Sequence, residues 1–207
     1  MKIGIYGGTF DPIHFGHLNL AMEILEAHGL DQVWFCPARI NPHKLEDQPT
    51  PIEHRHKMVE LAIAKFPQFG LLDIESQREG PSYTVDTLRE VLEAEKSSVP
   101  LKEFALILGE DAVPGFFRWR QPEAIVKMVP ILIGCRSNSI LDLSKFQDKP
   151  LICQALEKGL TPTRKMDISG TELRERLRNG LICRHLVPSE VLDYIYAHQL
   201  YSNLIGR

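Results

Sequence analysis

Five short apolar runs, rich in β-branched and aromatic residues, recur along the chain between more polar segments. They occupy residues 2–6, 32–36, 70–74, 104–108 and 131–134. Uninterrupted apolar runs of this length are typical of strands buried on both faces, as in a parallel sheet. The pattern therefore predicts a buried parallel strand at each of these positions.

Helical periodicity occurs in the intervals between these strands. Leu18, Ala21 and Leu25 repeat at the spacing of one helix face. Similar patterns predict helices over 59–66, 85–92, 171–178 and 189–199. The segment 137–160 is rich in Ser, Asp, Lys and Pro, so we expect surface loop there with one short helix at 151–156.

The alternation of strand and helix predicts an α/β fold. We expect a Rossmann-like, doubly wound parallel sheet with helices on both faces and a helical C-terminal segment. With 207 residues and 43% hydrophobic composition, the chain is expected to form one domain over 1–207. Ligands of such sheets collect beyond the carboxyl ends of the strands. The residues directly after each apolar run are therefore the first candidates for a functional site.

Composition narrows the classes of partner. The net charge of -3 and the mixing of acidic and basic residues leave no basic face for a nucleic-acid backbone. The four cysteines are far apart and lack a C-x-x-C pair, so neither a zinc site nor a redox motif is predicted. We expect reduced thiols and a cytoplasmic protein, with neither a secretory leader nor a membrane span. The sequence leaves open whether the chain forms a homo-oligomer.

The first candidate site is the string GGTFDPIHFGH at 7–17, which leaves the first strand and enters the first helix. It is not the G-x-G-x-x-G fingerprint of a dinucleotide cofactor. Adjacent glycines allow a ligand to approach the backbone, and a helix start offers free N–H groups, which together suit a phosphate. His14 and His17 would project to the same side of the first turn, with Gly16 leaving room between them. The structural alternative is a capped turn whose histidines hydrogen-bond locally.

A second candidate is the string MDISGTELR at 166–174. Ser169 and Glu172 form a capping box, which by itself would explain both residues. The same turn offers backbone N–H groups and two hydroxyls, and Arg174 follows with a guanidinium whose fork matches a phosphate. Capping and phosphate binding are compatible, and the local pattern does not choose between them.

These strings resemble the bacterial nicotinate-nucleotide adenylyltransferases of the nucleotidyltransferase superfamily. The matching strings, in the order typical of the family, are GGTFDPIHFGH at 7–17, NPHK at 41–44, GPSYTVDTL at 80–88, GED at 109–111, Trp119 and ISGTELR at 168–174. The resemblance covers nearly the whole chain. The histidine string and the I-S-x-T turn are specific to the superfamily, whereas PSYTVDTL points to this particular member.

The resemblance implies in-line attack by the 5′-phosphate of nicotinate mononucleotide on the α-phosphorus of ATP, without a covalent enzyme intermediate. Nicotinate adenine dinucleotide and pyrophosphate would be the products. The resemblance implies four catalytic residues: His14 and His17 would contact the ATP phosphates and stabilise charge in the transition state, and Lys44 and Arg174 would add positive charge beside the same polyphosphate. The implied ATP-binding surface is formed by Gly8, Thr9, Phe10, Gly16, Ile168, Ser169 and Thr171. Mg²⁺ would be carried by the ATP phosphates, with no metal ligands from the protein.

On the acceptor side, the resemblance implies that Tyr83 and Thr84 form the nicotinate-binding turn and that Trp119 stacks on the pyridine ring. Asp111, after the fourth strand, would accept hydrogen bonds from ribose hydroxyls. Arg136, after the fifth strand, would meet the acceptor phosphate. The structural alternatives are that Tyr83 and Thr84 only begin a helix and that Trp119 fills a gap in the core.

Several interpretations stay open or purely structural. Many family members carry an aromatic residue or histidine at the position of Arg120, so the ring-stacking arrangement is not determined. The basic run at 55–57 is interpreted as the solvated face of its helix. An adenylyltransferase for nicotinamide mononucleotide or pantetheine phosphate would share the histidine string, and a non-catalytic nucleotide sensor would keep the fold. A class I aminoacyl-tRNA synthetase is disfavoured because no K-M-S-K-S string is present.

Overall fold

The computed structural model describes residues 1–40, 49–135, 143, 148–164 and 166–202. The strands within these residues are β1 (Lys2–Gly8), β2 (Gln32–Pro37), β3 (Phe69–Leu71), β4 (Glu103–Gly109), β5 (Ile131–Cys135) and β6 (Leu160–Pro162). They form one parallel sheet in the order β3-β2-β1-β4-β5-β6. The predicted α/β fold with a doubly wound parallel sheet is confirmed.

Helices connect the strands and cover both faces of the sheet. They are α1 (Phe15–His28), α2 (Ile52–Ile63), α3 (Thr84–Ala94), α4 (Val113–Phe116), α5 (Pro122–Met128), α6 (Pro150–Lys158), α7 (Gly170–Arg178) and α8 (Ser189–Ala197), with a 3₁₀ turn over Glu110–Ala112 before α4. Helices α1, α2, α7 and α8 pack on one face, whereas α3 to α6 pack on the other. In the part of the chain that the structure describes, each helix is too short or too polar to cross a bilayer.

Each face of the sheet has its own apolar core because side chains alternate along the strands. On β1, Ile5 belongs to the core under α3 to α6, and Tyr6 belongs to the core under α1 and α2. On β4, Leu106 belongs to the core under α3 to α6, and Ile107 belongs to the core under α1 and α2. These runs contain no polar alternation because both faces are covered by helices.

The structure departs from the sequence-based expectations mainly at the edges of the sheet. β3 ends at Leu71 instead of residue 74, because a turn begins at Asp73, whose carbonyl accepts the hydroxyl of Ser76. β6 begins at Leu160, the last residue of the segment interpreted as loop, and its three residues are too few for a recognisable apolar run. The short helices α4 and α5 also have no counterpart among the predicted elements.

The order in which strands are added to the sheet reverses at its centre, between β1 and β4. β1 is followed by β2 on one side, and β4 on its other side is followed by β5. Tyr6 of β1 pairs with Phe35 of β2 and Ile107 of β4, so the segments after all three strands emerge at one edge. A crevice forms beyond the strand ends at such a switch point.

Candidate active site

A broad cleft with a volume of about 1590 Å³ opens beyond the carboxyl ends of β1 and β4. Pockets for one small ligand occupy roughly 300–1,000 Å³, so this cleft has room for two nucleotides. It is lined by every predicted site residue that the structure describes, namely Gly8, Thr9, Phe10, His14, Gly16, His17, Tyr83, Thr84, Asp111, Trp119, Ile168, Ser169, Thr171 and Arg174. The predicted residues Lys44 and Arg136 lie outside the described residues.

The turn after β1 is held in place by Phe10, whose side chain is buried. Its ring packs edge-on against Tyr6, with 5.5 Å between centroids, and beside Phe35 at 5.6 Å. A Cβ at Gly8 would lie 2.9 Å from this ring. Glycine at this position therefore leaves the space in which the Phe10 ring packs against the end of β1. The aromatic packing fixes the turn, and Thr9 lies beside it on the wall of the cleft.

The two histidines stack on each other at the start of α1. Their ring centroids are 3.7 Å apart, with an interplanar angle of 26°. The backbone N–H of His14 donates to Nδ1 of His17 (3.3 Å), which leaves the proton of the neutral His17 ring on Nε2. A Cβ at Gly16 would lie 3.0 Å from Nδ1 of His14, so the glycine provides the space for this ring.

Burial keeps both imidazoles neutral in the free protein. It lowers the pKa of His14 to about 4. Burial first, and then the neighbouring His14, lower the pKa of His17 well below its ordinary range. Neutral rings still donate hydrogen bonds, and the negative charge of a bound polyphosphate would favour the protonated form of His14. Nδ1 of His14 is buried and has no hydrogen-bond partner among the described residues.

Helix α7 brings the C-terminal part of the chain against the turn after β1. The Arg174 guanidinium donates to the carbonyl of Asp11 (2.7 Å) and to Oγ1 of Thr171 (3.3 Å). A Cβ at Gly170 would lie 3.3 Å from the same Asp11 carbonyl, so the two segments approach closely. Ser169 caps α7 by accepting a backbone N–H. The two histidines and the Arg174 guanidinium therefore share one cleft.

The residues predicted for the acceptor form another wall of this cleft. Tyr83 and Thr84 lie where α3 begins, and the Arg120 guanidinium lies 4.8 Å from the centroid of the Tyr83 ring. Trp119 is partly buried against the last residue of α4 and also lines the cleft. Asp111 lies on the 3₁₀ turn that follows β4. Tyr83 and Thr84 therefore begin a helix, and Trp119 packs against the core, as the structural alternatives stated. All three residues nevertheless line the cleft.

Comparisons with known proteins show which family the chain belongs to. The family model described as cytidylyltransferase-like matches residues 5–176. A Salinibacter ruber protein, a probable nicotinate-nucleotide adenylyltransferase, is 38% identical over 97% of this chain and 98% of its own length. A protein of the same name from Dictyoglomus thermophilum is 40% identical over 97% of this chain and 100% of its own. The chain is a member of the nicotinate-nucleotide adenylyltransferase family.

A solved structure of the family shares the architecture. The Plasmodium falciparum nicotinic acid mononucleotide adenylyltransferase complexed with NaAD superposes with a TM-score of 0.76. Its sequence is 25% identical, and the match covers 97% of both chains. The nucleotidyltransferase fold implied by the histidine string and the I-S-x-T turn is therefore confirmed for this adenylyltransferase.

Arg55 is a residue beside the site that the sequence analysis missed. The interpretation of the basic run at 55–57 as a solvated face is wrong for Arg55, which is 1% exposed. Its guanidinium donates to four backbone carbonyls beside the cleft. The spacing contained a signal, because Arg55 stands three and four residues before Met58 and Val59 on the buried face of α2.

A second contact that the sequence does not indicate joins Tyr201 to the turn after β1. The Tyr201 hydroxyl donates to Oδ1 of the buried Asp11, whose Oδ2 accepts the Thr50 N–H (3.1 Å). Burial first, and then Asp11, raise the pKa of Tyr201, so its hydroxyl stays protonated and donates. The two residues are 190 positions apart, and no local pattern connects them.

Proposed function

We propose that the chain transfers the adenylyl group of ATP to nicotinate mononucleotide, forming nicotinate adenine dinucleotide and pyrophosphate in NAD biosynthesis. The observation that carries this proposal is the convergence of His14, His17 and Arg174 on one cleft that also contains the turn at Tyr83. Relatives with the name nicotinate-nucleotide adenylyltransferase align with nearly the full chain, which supports the choice of acceptor.

ATP is proposed to lie along the turn after β1 and the start of α7. The acceptor 5′-phosphate attacks the α-phosphorus and pyrophosphate leaves opposite it, so one P–O bond forms as another breaks. The reacting groups belong to the two substrates, and the protein supplies alignment and charge stabilisation. The proposed ATP-binding surface consists of Gly8, Thr9, Phe10, Gly16, Ile168, Ser169 and Thr171.

Charge stabilisation is assigned to the two imidazoles and the guanidinium. His17 would donate from Nε2, because its Nδ1 already accepts the His14 N–H. Negative charge shifts onto the departing pyrophosphate during transfer, and donors held in place for that charge stabilise the transition state more than the ground state. Arg174, held by the Asp11 carbonyl, would neutralise a second part of the polyphosphate. Lys44 is proposed to add a further positive charge.

Mg²⁺ is proposed to enter as its complex with ATP. The Asp11 carboxylate in the turn after β1 is already bonded by Tyr201 and by the Thr50 N–H. Among the described residues, no three His, Cys, Asp or Glu side chains are grouped so as to hold a metal ion. Mg²⁺ keeps several waters and binds substrate phosphates, so ATP and water suffice as its ligands. When bound, it would neutralise part of the phosphate charge.

The acceptor is proposed to bind at the wall of the cleft that contains Tyr83 and Thr84. Trp119 would stack on the pyridine ring, and Asp111 would accept hydrogen bonds from the ribose. Arg136 is proposed to meet the 5′-phosphate. The location of Trp119 supports this assignment, because its ring is partly buried yet faces the cleft.

Replacing Trp119 tests the acceptor wall. Trp119→Ala should raise the KM for nicotinate mononucleotide by an amount equivalent to roughly 1–3 kcal/mol, as for other ring-stacking contacts, and should leave the KM for ATP unchanged. Steady-state kinetics with each substrate varied in turn measures this. Trp34→Phe is the control, since Trp34 lies outside the cleft. An unchanged acceptor KM would assign Trp119 to the core alone.

The function as a whole is tested by pyrophosphate release from Mg-ATP with a panel of acceptors. We expect release with nicotinate mononucleotide at a higher kcat/KM than with nicotinamide mononucleotide or pantetheine phosphate. Release only with pantetheine phosphate would assign the chain to a different adenylyltransferase. ATP binding without release for any acceptor would identify a nucleotide sensor. We further propose that one domain over 1–207 carries the activity and that it acts in the cytoplasm.

A further inference from the structure

Arg55 is a buried cation that joins three backbone segments beside the cleft. Its Nε donates to the Thr50 carbonyl (2.8 Å), and one terminal nitrogen donates to the carbonyls of Thr9 (2.8 Å) and Ala38 (2.7 Å). The other terminal nitrogen donates to the carbonyl of Arg39 (3.2 Å). The side chain thus connects the turn after β1 with the segments that follow β2 and precede α2.

The contact continues from Arg39 to the turn proposed to bind the acceptor. The Arg39 N–H donates to Oγ of Ser82 (3.0 Å), and the Ser82 N–H donates to the carbonyl of Ile40 (2.9 Å). Ser82 directly precedes Tyr83. An unbroken series of hydrogen bonds therefore runs from Thr9, on the ATP side, through Arg55 to the acceptor side.

The chemistry of Arg55 explains why this residue type stands there. A guanidinium is charged at all ordinary pH values and offers donors in a rigid planar fork, which can reach four carbonyls in different directions. Lysine has only three donors on one atom, and an apolar residue would leave these carbonyls without the partner that Arg55 provides. Among the described residues no carboxylate bonds Arg55 directly, so its hydrogen bonds go to the backbone.

We propose that Arg55 is a positioning residue that sets the distance between the ATP turn and the acceptor turn. The inference rests on the proposed function, because the acceptor side is assigned there. The two substrates are proposed to lie on different turns, and the Arg55 guanidinium is already engaged by four backbone carbonyls, so we expect each substrate to bind alone without a hydrogen bond from Arg55. In-line attack depends on the separation of the two phosphates, and a displacement of about 1 Å can lower the rate about 10²-fold. Loss of Arg55 should therefore lower kcat and leave the two binding affinities nearly unchanged.

Arg55→Lys keeps the charge and removes the fork. We expect kcat to fall by about 10²-fold, whereas the dissociation constants of a non-hydrolysable ATP analogue and of nicotinate mononucleotide, each measured alone by calorimetry, change by less than about threefold. Val59→Ala is the matched control, because Val59 is fully buried on the same helix and does not line the cleft. This control should lower the melting temperature and leave kcat intact at temperatures where it is folded.

Ser82→Ala tests the other end of the series without disturbing α2. It should also lower kcat at unchanged affinities, and the double variant with Arg55→Lys should lose less than the sum of the two effects. Thr87→Val is its control, because it removes a hydroxyl that bonds Glu75 (2.6 Å) and leaves the Arg39 contact in place. If Arg55→Lys does not fold, Ser82→Ala alone decides.

Three results would overturn the inference: a kcat within about threefold of wild type in either variant, weakened affinities with kcat intact, or fully additive losses in the double variant. A wild-type chain that releases no pyrophosphate with nicotinate mononucleotide would instead contradict the proposed function. The wild-type assay is therefore done first, and the two failures are distinguished by it.

Discussion

At the scale of single residues, the site contains two buried imidazoles that can donate hydrogen bonds. Their charged forms are disfavoured while no ligand is bound. His14 and His17 are stacked at 3.7 Å, and burial favours the neutral form of both. Two imidazolium rings at this distance would repel each other unless an anion lay beside them. A polyphosphate would favour the protonated form of His14, whereas His17 stays neutral while its Nδ1 accepts the His14 N–H, so ATP binding near neutral pH should be accompanied by proton uptake at His14.

Removing the second histidine should reduce turnover and preserve the fold. His17→Asn is expected to lower kcat by about 10²–10³-fold, because it removes a donor needed most in the transition state. Rates of pyrophosphate release and circular dichroism measure the two quantities. His28→Asn is the control, since His28 lies at the opposite end of the same helix, outside the cleft. Near-normal turnover of His17→Asn would remove this residue from the catalytic group.

The depressed pKa of His14 makes the stability of the ligand-free protein depend on pH. The unfolded chain binds a proton near pH 6.5, whereas the folded chain binds it only near pH 4, so the free energy of unfolding falls as pH falls between these values. The loss should amount to about 3 kcal/mol at pH 4 relative to pH 7. Urea denaturation at several pH values measures it. In His14→Asn the slope should be smaller, and an equal slope would contradict the assignment.

At the scale of secondary-structure elements, two helix starts meet at the cleft. α1 begins beside the histidine pair, and α7 begins at Gly170, directly after Ser169, whose side chain caps it. Helix N-termini present unpaired N–H groups and the positive end of a dipole, which suits phosphate oxygens. The close approach of Gly170 to the Asp11 carbonyl fixes the second helix against the first turn. The site is therefore assembled from rigid helix ends and short turns.

Gly16 allows a test at this scale. Alanine is the better helix former by about 1 kcal/mol, so Gly16→Ala should not reduce helix stability. Its Cβ would lie 3.0 Å from Nδ1 of His14 and would push that ring from its position. The ring would shift by less than about 1 Å, so we expect kcat to fall by about tenfold, less than the roughly 10²-fold of a displacement of about 1 Å, with a nearly unchanged melting temperature. A large loss of stability with normal kcat in the remaining folded protein would refute this explanation.

At the scale of the whole molecule, the two ends of the chain are brought to the same cleft. β1 supplies the first turn, α7 supplies Arg174, and Tyr201 near the C terminus donates to Asp11. A ligand in the cleft therefore bridges segments that are remote in sequence. Such a ligand stabilises the whole fold, because binding only to the folded state shifts the unfolding equilibrium.

This coupling predicts a thermal shift. A non-hydrolysable ATP analogue with Mg²⁺, at one hundred times its dissociation constant, should add about 2.7 kcal/mol of stability. For a chain of this length that corresponds to a rise in melting temperature of roughly 5–11 °C. Differential scanning calorimetry measures it, and Arg174→Gln should need more analogue for the same rise. An unchanged melting temperature at saturation would contradict ATP binding in this cleft.

Much of the fold and of the ATP side could be predicted because their signals are local. The apolar runs of the central strands are uninterrupted since both faces of the sheet are covered, and α1 repeats its apolar residues at helical spacing. The short edge strands β3 and β6 were harder, because three residues produce no distinctive period. His14, Gly16 and His17 lie within four positions, so their spacing alone predicted a shared turn.

The remaining features depend on which distant segments meet. Arg55 lies in a basic run, and although its spacing to Met58 and Val59 agrees with a buried position, only the approach of four backbone carbonyl groups explains how its charge is buried. Tyr201 contacts Asp11 across 190 positions. By itself the sequence determined the central strands and the longer helices and predicted the chemistry of each motif, since these follow from neighbouring residues. Tertiary structure decided which motifs share a cleft and at what distance, because that depends on how the sheet orders its strands and on contacts between segments far apart in the chain.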